Sequence, residues 1–134
     1  MSLEDSIAAR LAAVSALTDL VGTNIYRYQR ERASGLPAVV FTRETTDPSN
    51  YSEGDTVTRH AIVTVDSISY DMDEVRNVSQ AVLGALSGWS DTGGDPNISP
   101  VIQVRDDDVS ELPEHGTDQM TFRISQDYSF WYAD

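Results

Sequence analysis

Near the C-terminus Met120, Phe122, Ile124, Tyr128, Phe130 and Tyr132 fall on even positions, and Thr121, Arg123, Ser125, Asp127 and Ser129 fall between them. Only extended backbone sends alternate side chains to opposite sides, so this segment predicts a strand with one strongly apolar face. A strand that apolar is stable only when it is paired on its edges and covered on one side. The segment therefore demands a sheet around it, with itself central or heavily paired.

Two helical patterns supply the cover. Leu3, Ile7, Leu11, Val14, Leu17 and Leu20 recur at spacings of four and three, which predicts one helix from about Leu3 to Val21. Ser2 with Asp5 has capping-box spacing, and Gly22 is a stop signal. Val75, Val78, Val82 and Leu86 repeat the pattern after Asp71 and Glu74, and predict a second helix ending near Gly88. Trp89 should cap that end against the core.

Leu36 to Thr42, Val57 to Ile68 and Ile98 to Val104 read as further strands, with a short extended segment at Asn24 to Tyr28. On the second of these, Val57, Ala61, Val63 and Val65 share one side. Thr58, His60, Ile62 and Thr64 share the other. Arg30 to Gly35, Thr45 to Asp55, Asp91 to Asn97 and the acidic stretch Asp106 to Asp118 read as connections. The expectation is one α+β domain over residues 1–134, with a mostly antiparallel sheet of about four to five strands and two helices packed on one face. His60, Ile62, Arg123 and Trp131 would then lie on a face that no helix covers. A tryptophan there marks either a partner surface or a site covered by a loop or by the short Ile25 to Tyr28 strand.

Composition narrows the function classes. All nine basic residues are Arg, lysine is absent, and 15 Asp and 7 Glu bring the net charge to −13. Such a chain is poorly suited to neutralising nucleic-acid phosphates. An Asp-rich, Lys-free surface suits concentrated salt, where self-repulsion is screened, and points to a halophilic host. Absence of cysteine removes disulfides, thiol catalysis and thiolate zinc sites. No apolar run reaches the roughly 18 to 20 residues of a membrane helix, and the acidic start Glu4 and Asp5 is unlike a secretory leader, so cytoplasmic synthesis without cleavage is expected.

No motif nominates a catalytic, cofactor or metal site. Asp106, Asp107, Asp108, Glu111, Glu114 and His115 lack the spacing and the turn glycine of a calcium loop and read as a solvated acidic hairpin. Gly93 and Gly94 are not followed by the Lys and Ser or Thr of a phosphate loop. His60 has no serine or carboxylate at a diagnostic spacing, which favours a structural or interface histidine.

Four segments, in order, resemble the tail-completion or tail-terminator family of long-tailed viruses of bacteria and archaea. Leu17 to Tyr26, with Leu20-Val21-Gly22 and Ile25-Tyr26, resembles the family's first helix end and first strand. Leu36 to Phe41 resembles its Leu-Pro-led strand. Val63 to Asp66 with Tyr70, Asp71, Glu74 and Val78 to Leu86 resembles its strand-to-helix crossover, and Asp127 to Tyr132 its aromatic closing strand. Lack of lysine and the acidic stretch Asp106 to Asp118 depart from the family pattern.

The resemblance implies a structural protein of the virion neck without enzymatic activity or cofactor. Its subunits would form a ring, commonly a hexamer, that ends polymerisation of the tail tube protein and docks the tail to the head connector or stopper protein. DNA would pass through without specific binding, and no membrane would be involved. A head-to-tail ring needs two different surface patches per subunit, for which a bare sheet face is one candidate. Tyr51, Arg59, Arg123 and Trp131 are the candidate interface residues, Arg being suited to bidentate bridges with carboxylates. The alternatives are a head-side adaptor or stopper of the neck and, from another class, a small α+β module binding a metabolite or cation.

Overall fold

A computed structural model describes residues 2–28, 35–53, 56–94, 96–113 and 120–133, with backbone alone at 45–53, 56–58, 106–108 and 110–113. Arg30 and its successors through residue 34, Asp95, and Glu114 and His115 of the acidic stretch lie outside the described residues. The order is α1 (Leu3–Ala13), α2 (Ser15–Val21), β1 (Ile25–Arg27), β2 (Ala38–Glu53), β3 (Thr56–Ser69), α3 (Met72–Leu86), β4 (Asn97–Ile98), β5 (Ile102–Pro113) and β6 (Met120–Ala133).

β6 is central, as its alternation requires. β3 pairs along one side of it, from Thr58 opposite Ala133 to Ser69 opposite Phe122. The other side is shared by β4, at Tyr132 and Ala133, and by β5, from Ser129 down to Met120. Beyond β3 come β2 and then β1, giving a six-stranded sheet. One apolar face of β2, β3 and β6, carrying Val39, Phe41, Ala61, Val63, Val65, Tyr128 and Phe130, packs against Leu3, Ile7, Leu11, Leu17, Val21, Val78, Val82 and Leu86 of the helices. Burying a side chain of this size contributes about 1.5–3 kcal/mol, so this layer is the main source of stability.

The helical layer has three helices rather than two. Val14, at φ −93 and ψ 109, leaves helical geometry and separates α1 from α2. Spacing alone cannot detect such a break, because the apolar period continues across it while the axis turns. The step lets Leu11 and Leu17 both reach the core, whereas Leu20 is left partly exposed. At the start of α1 the capping box forms: Asp5 N donates to Ser2 Oγ at 3.1 Å and Ser2 N to Asp5 Oδ2 at 3.0 Å. At the end of α2, Gly22 takes φ 60 and donates its N–H to Thr18 O at 2.8 Å, a conformation that only glycine adopts without strain.

At α3 the Asp71–Glu74 box does not form. Asp71 makes no side-chain cap, and Glu74 instead accepts from Ser69 Oγ, which also receives Asp71 N at 3.3 Å. Arg10 fastens α1 to the other end of α3, donating Nε to Ala85 O at 2.8 Å with its guanidinium 5.8 Å from the Trp89 ring centroid. Trp89 is half-buried and packed against the core, as expected of a cap.

Three expectations about the sheet are corrected. β1 runs parallel to β2, with Ile25 opposite Val39, so the sheet is mixed; Asn24 sets this alignment by accepting Val39 N at 2.9 Å. Thr45 to Glu53 is strand, since β2 continues opposite β3 through Pro48 and again at Ser52 and Glu53, with register shifts that absorb its turn-forming residues. Asp106 to Pro113 is strand as well. Backbone pairing with β6 overrides the loop preference of an aspartate run, and shifts on either side of Arg105 accommodate it.

Candidate assembly surface

The face of the sheet opposite the helices is built from cross-strand pairs. His60 stands opposite Trp131, Ile62 opposite Ser129, Thr64 opposite Asp127 and Asp66 opposite Ser125, while β5 adds Ile102 opposite Ser129 and Arg105 opposite Asp127. The face divides into two regions of different chemistry.

Towards the C-terminal end of β6 it is apolar and aromatic. The His60 and Trp131 rings lie 4.3 Å apart at 32°, and His60 Nε2 is 2.6 Å from Ser129 Oγ. Ile62 and Ile102 flank Ser129 on either side. Trp131 is 38% exposed and Ile102 59%, so this end shows water a patch that an isolated domain gains nothing by exposing.

Towards the other end the face is a ladder of charge. Asp127 accepts Thr64 Oγ1 at 2.7 Å and Arg105 Nε at 2.8 Å. Burial works against ionisation of Asp127, but these bonds and the Arg105 charge outweigh it and hold its carboxyl below the ordinary carboxylate value. Ser125 Oγ donates to Asp66 Oδ1 at 2.5 Å, and Arg123 Nη1 lies 4.0 Å from Asp66 Oδ2. These pairs lay the side chains out along the face rather than around a pocket converging on a ligand, and Arg123 Nε is left buried without a hydrogen-bond partner among the described residues.

Of the residues singled out by sequence, Arg123 and Trp131 share this face at its two ends, about 26 Å apart at roughly 3.3 Å per residue. Arg59 stands opposite Tyr132, a core residue, and so belongs to the helix-covered side, where it is half-buried. Tyr51 lies in the distal part of β2, and its side chain is outside the described residues. Sequence reasoning missed Ile102, Val104 and Val109, which are exposed along β5. Their apolar character was visible, but their placement on an edge strand depends on pairing with β6.

Elsewhere a cleft of about 530 Å³ lies between α1, α2 and β1, lined by Ala8, Ala12, Thr18, Gly22, Thr23 and Ile25. Among the described residues two threonines are its only polar side chains, and they give little purchase on a charged metabolite.

The comparisons with known proteins agree with this architecture. A chain from a solved structure described as the virion of a native gene transfer agent particle superposes with a TM-score of 0.70 over 99% of this chain and 96% of its own, at 16% identity, which shows a shared fold. No curated relative matches by sequence. The family model described as tail completion protein gp17 matches residues 5–133. That match spans both the helical layer and the sheet, and places this chain in the tail completion protein family, structural proteins of the virion tail.

Proposed function

We propose that this chain is a tail terminator. Copies form a ring, most simply a hexamer, on the head-proximal end of the tail tube, stop its growth and present the opposite face of the ring to the head connector. The observation that carries this reading is the helix-free sheet face on a domain that matches the family from end to end. Trp131, with His60, Ile62 and Ile102 around it, is suited to an interface anchor, and Arg123 to a bridge to a neighbour's carboxylate. Arg59, on the helix-covered side of β3, and Tyr51, on β2, are proposed as further interface residues.

The role is structural rather than enzymatic. A net charge of −13 suits a channel through which DNA slides without being held, and a surface that stays soluble in concentrated salt, as in a halophilic host. Electron microscopy of particles made after disruption of the gene tests the assignment. Overlong tails without heads are expected. Free tails of normal length beside leaking heads would instead make it a head-side stopper, and intact infectious particles would exclude both neck roles.

A further inference from the structure

The sheet has two long backbone edges. β1 covers the outer side of β2 only at Val39–Phe41, so from Thr42 to Glu53 no strand among the described residues lies beyond β2. β5 pairs with β6 on its inner side, and among the described residues nothing pairs with its outer side. An exposed edge offers a row of main-chain donors and acceptors, and proteins guard it with charges, prolines, bulges or shortness. Here Pro48, Pro113, the acidic residues and the register shifts guard parts of the two edges and leave the remaining stretches open. This chain has no lysine, β5 is 12 residues long, and Ile102, Val104 and Val109 are exposed along it.

We infer that the outer edge of β5 in one copy pairs with the outer edge of β2 in the next, so that the sheets of the ring join through main-chain hydrogen bonds. The inference rests on the ring reading and supplies its contact. Three geometric facts favour a second copy as the occupant. The two edges are different surfaces, as a head-to-tail contact requires. Each successive pair from β2 through β3 and β6 to β5 is antiparallel, so β2 and β5 run in opposite directions. A rotation about an axis lying broadly along the strands therefore brings them together antiparallel, the stronger form of pairing.

The third fact is stagger. The free part of β2 pairs with Thr56–Thr64 of β3, which lies beside the C-terminal half of β6, whereas β5 pairs with Met120–Ser129. Mating the two free stretches steps the neighbour along the strand direction, and a closed ring absorbs such a step by inclining its strands to the axis. Both edges carry acidic residues, Glu44, Asp47 and Glu53 on one and Asp106, Asp107, Asp108 and Glu111 on the other. Mating is opposed in dilute buffer and favoured once salt shortens the screening length from about 10 Å at 0.1 M to about 3 Å at 1 M.

The chain has no cysteine, so introduced thiols report cleanly. Thr42→Cys or Glu44→Cys is combined with Ile102→Cys, Val104→Cys or Val109→Cys in the full chain and oxidised in dilute buffer and in molar potassium chloride. Within one copy the two edges are three strand spacings apart, about 14 Å, beyond the roughly 7 Å a disulfide spans. The expected result is a ladder of covalent oligomers, at least several-fold stronger in high salt, with single-cysteine chains stopping at dimers. Amide hydrogen exchange on the unsubstituted protein reads the same contact in any register: outward amides of Thr42–Glu53 and Ile102–Pro113 should slow at least about tenfold on assembly.

Rings visible in the microscope without a ladder and with unprotected edges would overturn edge pairing and leave the terminator reading standing. A chain that stays monomeric at every salt concentration would overturn edge pairing too, while the gene-disruption phenotype decides the terminator role separately.

Discussion

The Arg43 guanidinium lies 2.6 Å from Glu4 Oε1 and thereby ties β2 to α1, while its Nη1 donates to the Tyr132 hydroxyl at 3.1 Å. The Glu4 side chain is only 9% exposed, so loss of Arg43 strands a carboxylate away from water. Arg43→Met should destabilise the chain by roughly 2–4 kcal/mol in urea unfolding, and adding Glu4→Gln should restore part of that loss. A cost below about 0.5 kcal/mol would mean that water reaches Glu4 once Arg43 is gone.

Gln126 is the polar link between β6 and α3. Fully buried, it donates Nε2 to Ser79 O at 3.2 Å and accepts from the Tyr128 hydroxyl at 3.2 Å. Gln126→Leu removes a partner from each and should cost about 1–3 kcal/mol, read as a lowered thermal midpoint. An unchanged midpoint would show that the leucine's apolar gain offsets both bonds.

Trp131→Ala should separate folding from assembly. With its ring partly in water and tilted against His60, the truncation should cost the monomer no more than about 1 kcal/mol while weakening self-association at least about tenfold, measured by sedimentation. Loss of the monomer fold would place Trp131 in the core instead.

Two carboxylates shape the acid limb of stability. The Ser2 backbone N–H, then Arg27 and the Ser2 hydroxyl, lower Asp5 from 3.8 to about 2. Asp127 is also lowered, because Arg105 and Thr64 outweigh its burial. A group with a depressed folded value stabilises the native state above its unfolded pKa, and that contribution is lost as pH falls through the folded value. Stability should therefore be full above about pH 5 and decline towards pH 2. Asp5→Asn with Asp127→Asn should flatten that limb, and an unchanged slope would assign it to other carboxylates.

Salt provides the bulk counterpart. With 22 acids against 9 bases, self-repulsion should be relieved by screening, so the thermal midpoint should rise between dilute buffer and molar potassium chloride. A flat response would remove the argument for a salt-adapted surface.

Local signals were reliable where one residue pattern had one physical reading. The alternation of Ile124, Tyr128, Phe130 and Tyr132 named the central strand and its buried side, and Val75, Val78, Val82 and Leu86 named the face of α3. Ser2 with Asp5 named a cap that forms, whereas Asp71 with Glu74 matched the same spacing and failed, because Ser69 offers Glu74 a nearer donor. Asp106 to Asp118 and Thr45 to Asp55 read as loops, yet their described parts pair as strand up to Pro113 and Glu53, because charge and turn-forming residues argue for loops only when no neighbouring strand satisfies the backbone.

The sequence by itself determined the buried faces of β6 and α3, where side-chain chemistry and period agree, though not the exposure of Leu20 or the burial of Gln126. It also determined the acidic, lysine-free surface and, through four ordered segments, the family resemblance. Only the tertiary structure decided that the first helix breaks at Val14, that β1 joins in parallel, and that β5 runs on along β6 with no strand beyond it among the described residues. Those outcomes depend on strand pairing and helix docking between residues far apart in the chain, and no local window contains both partners of such a contact.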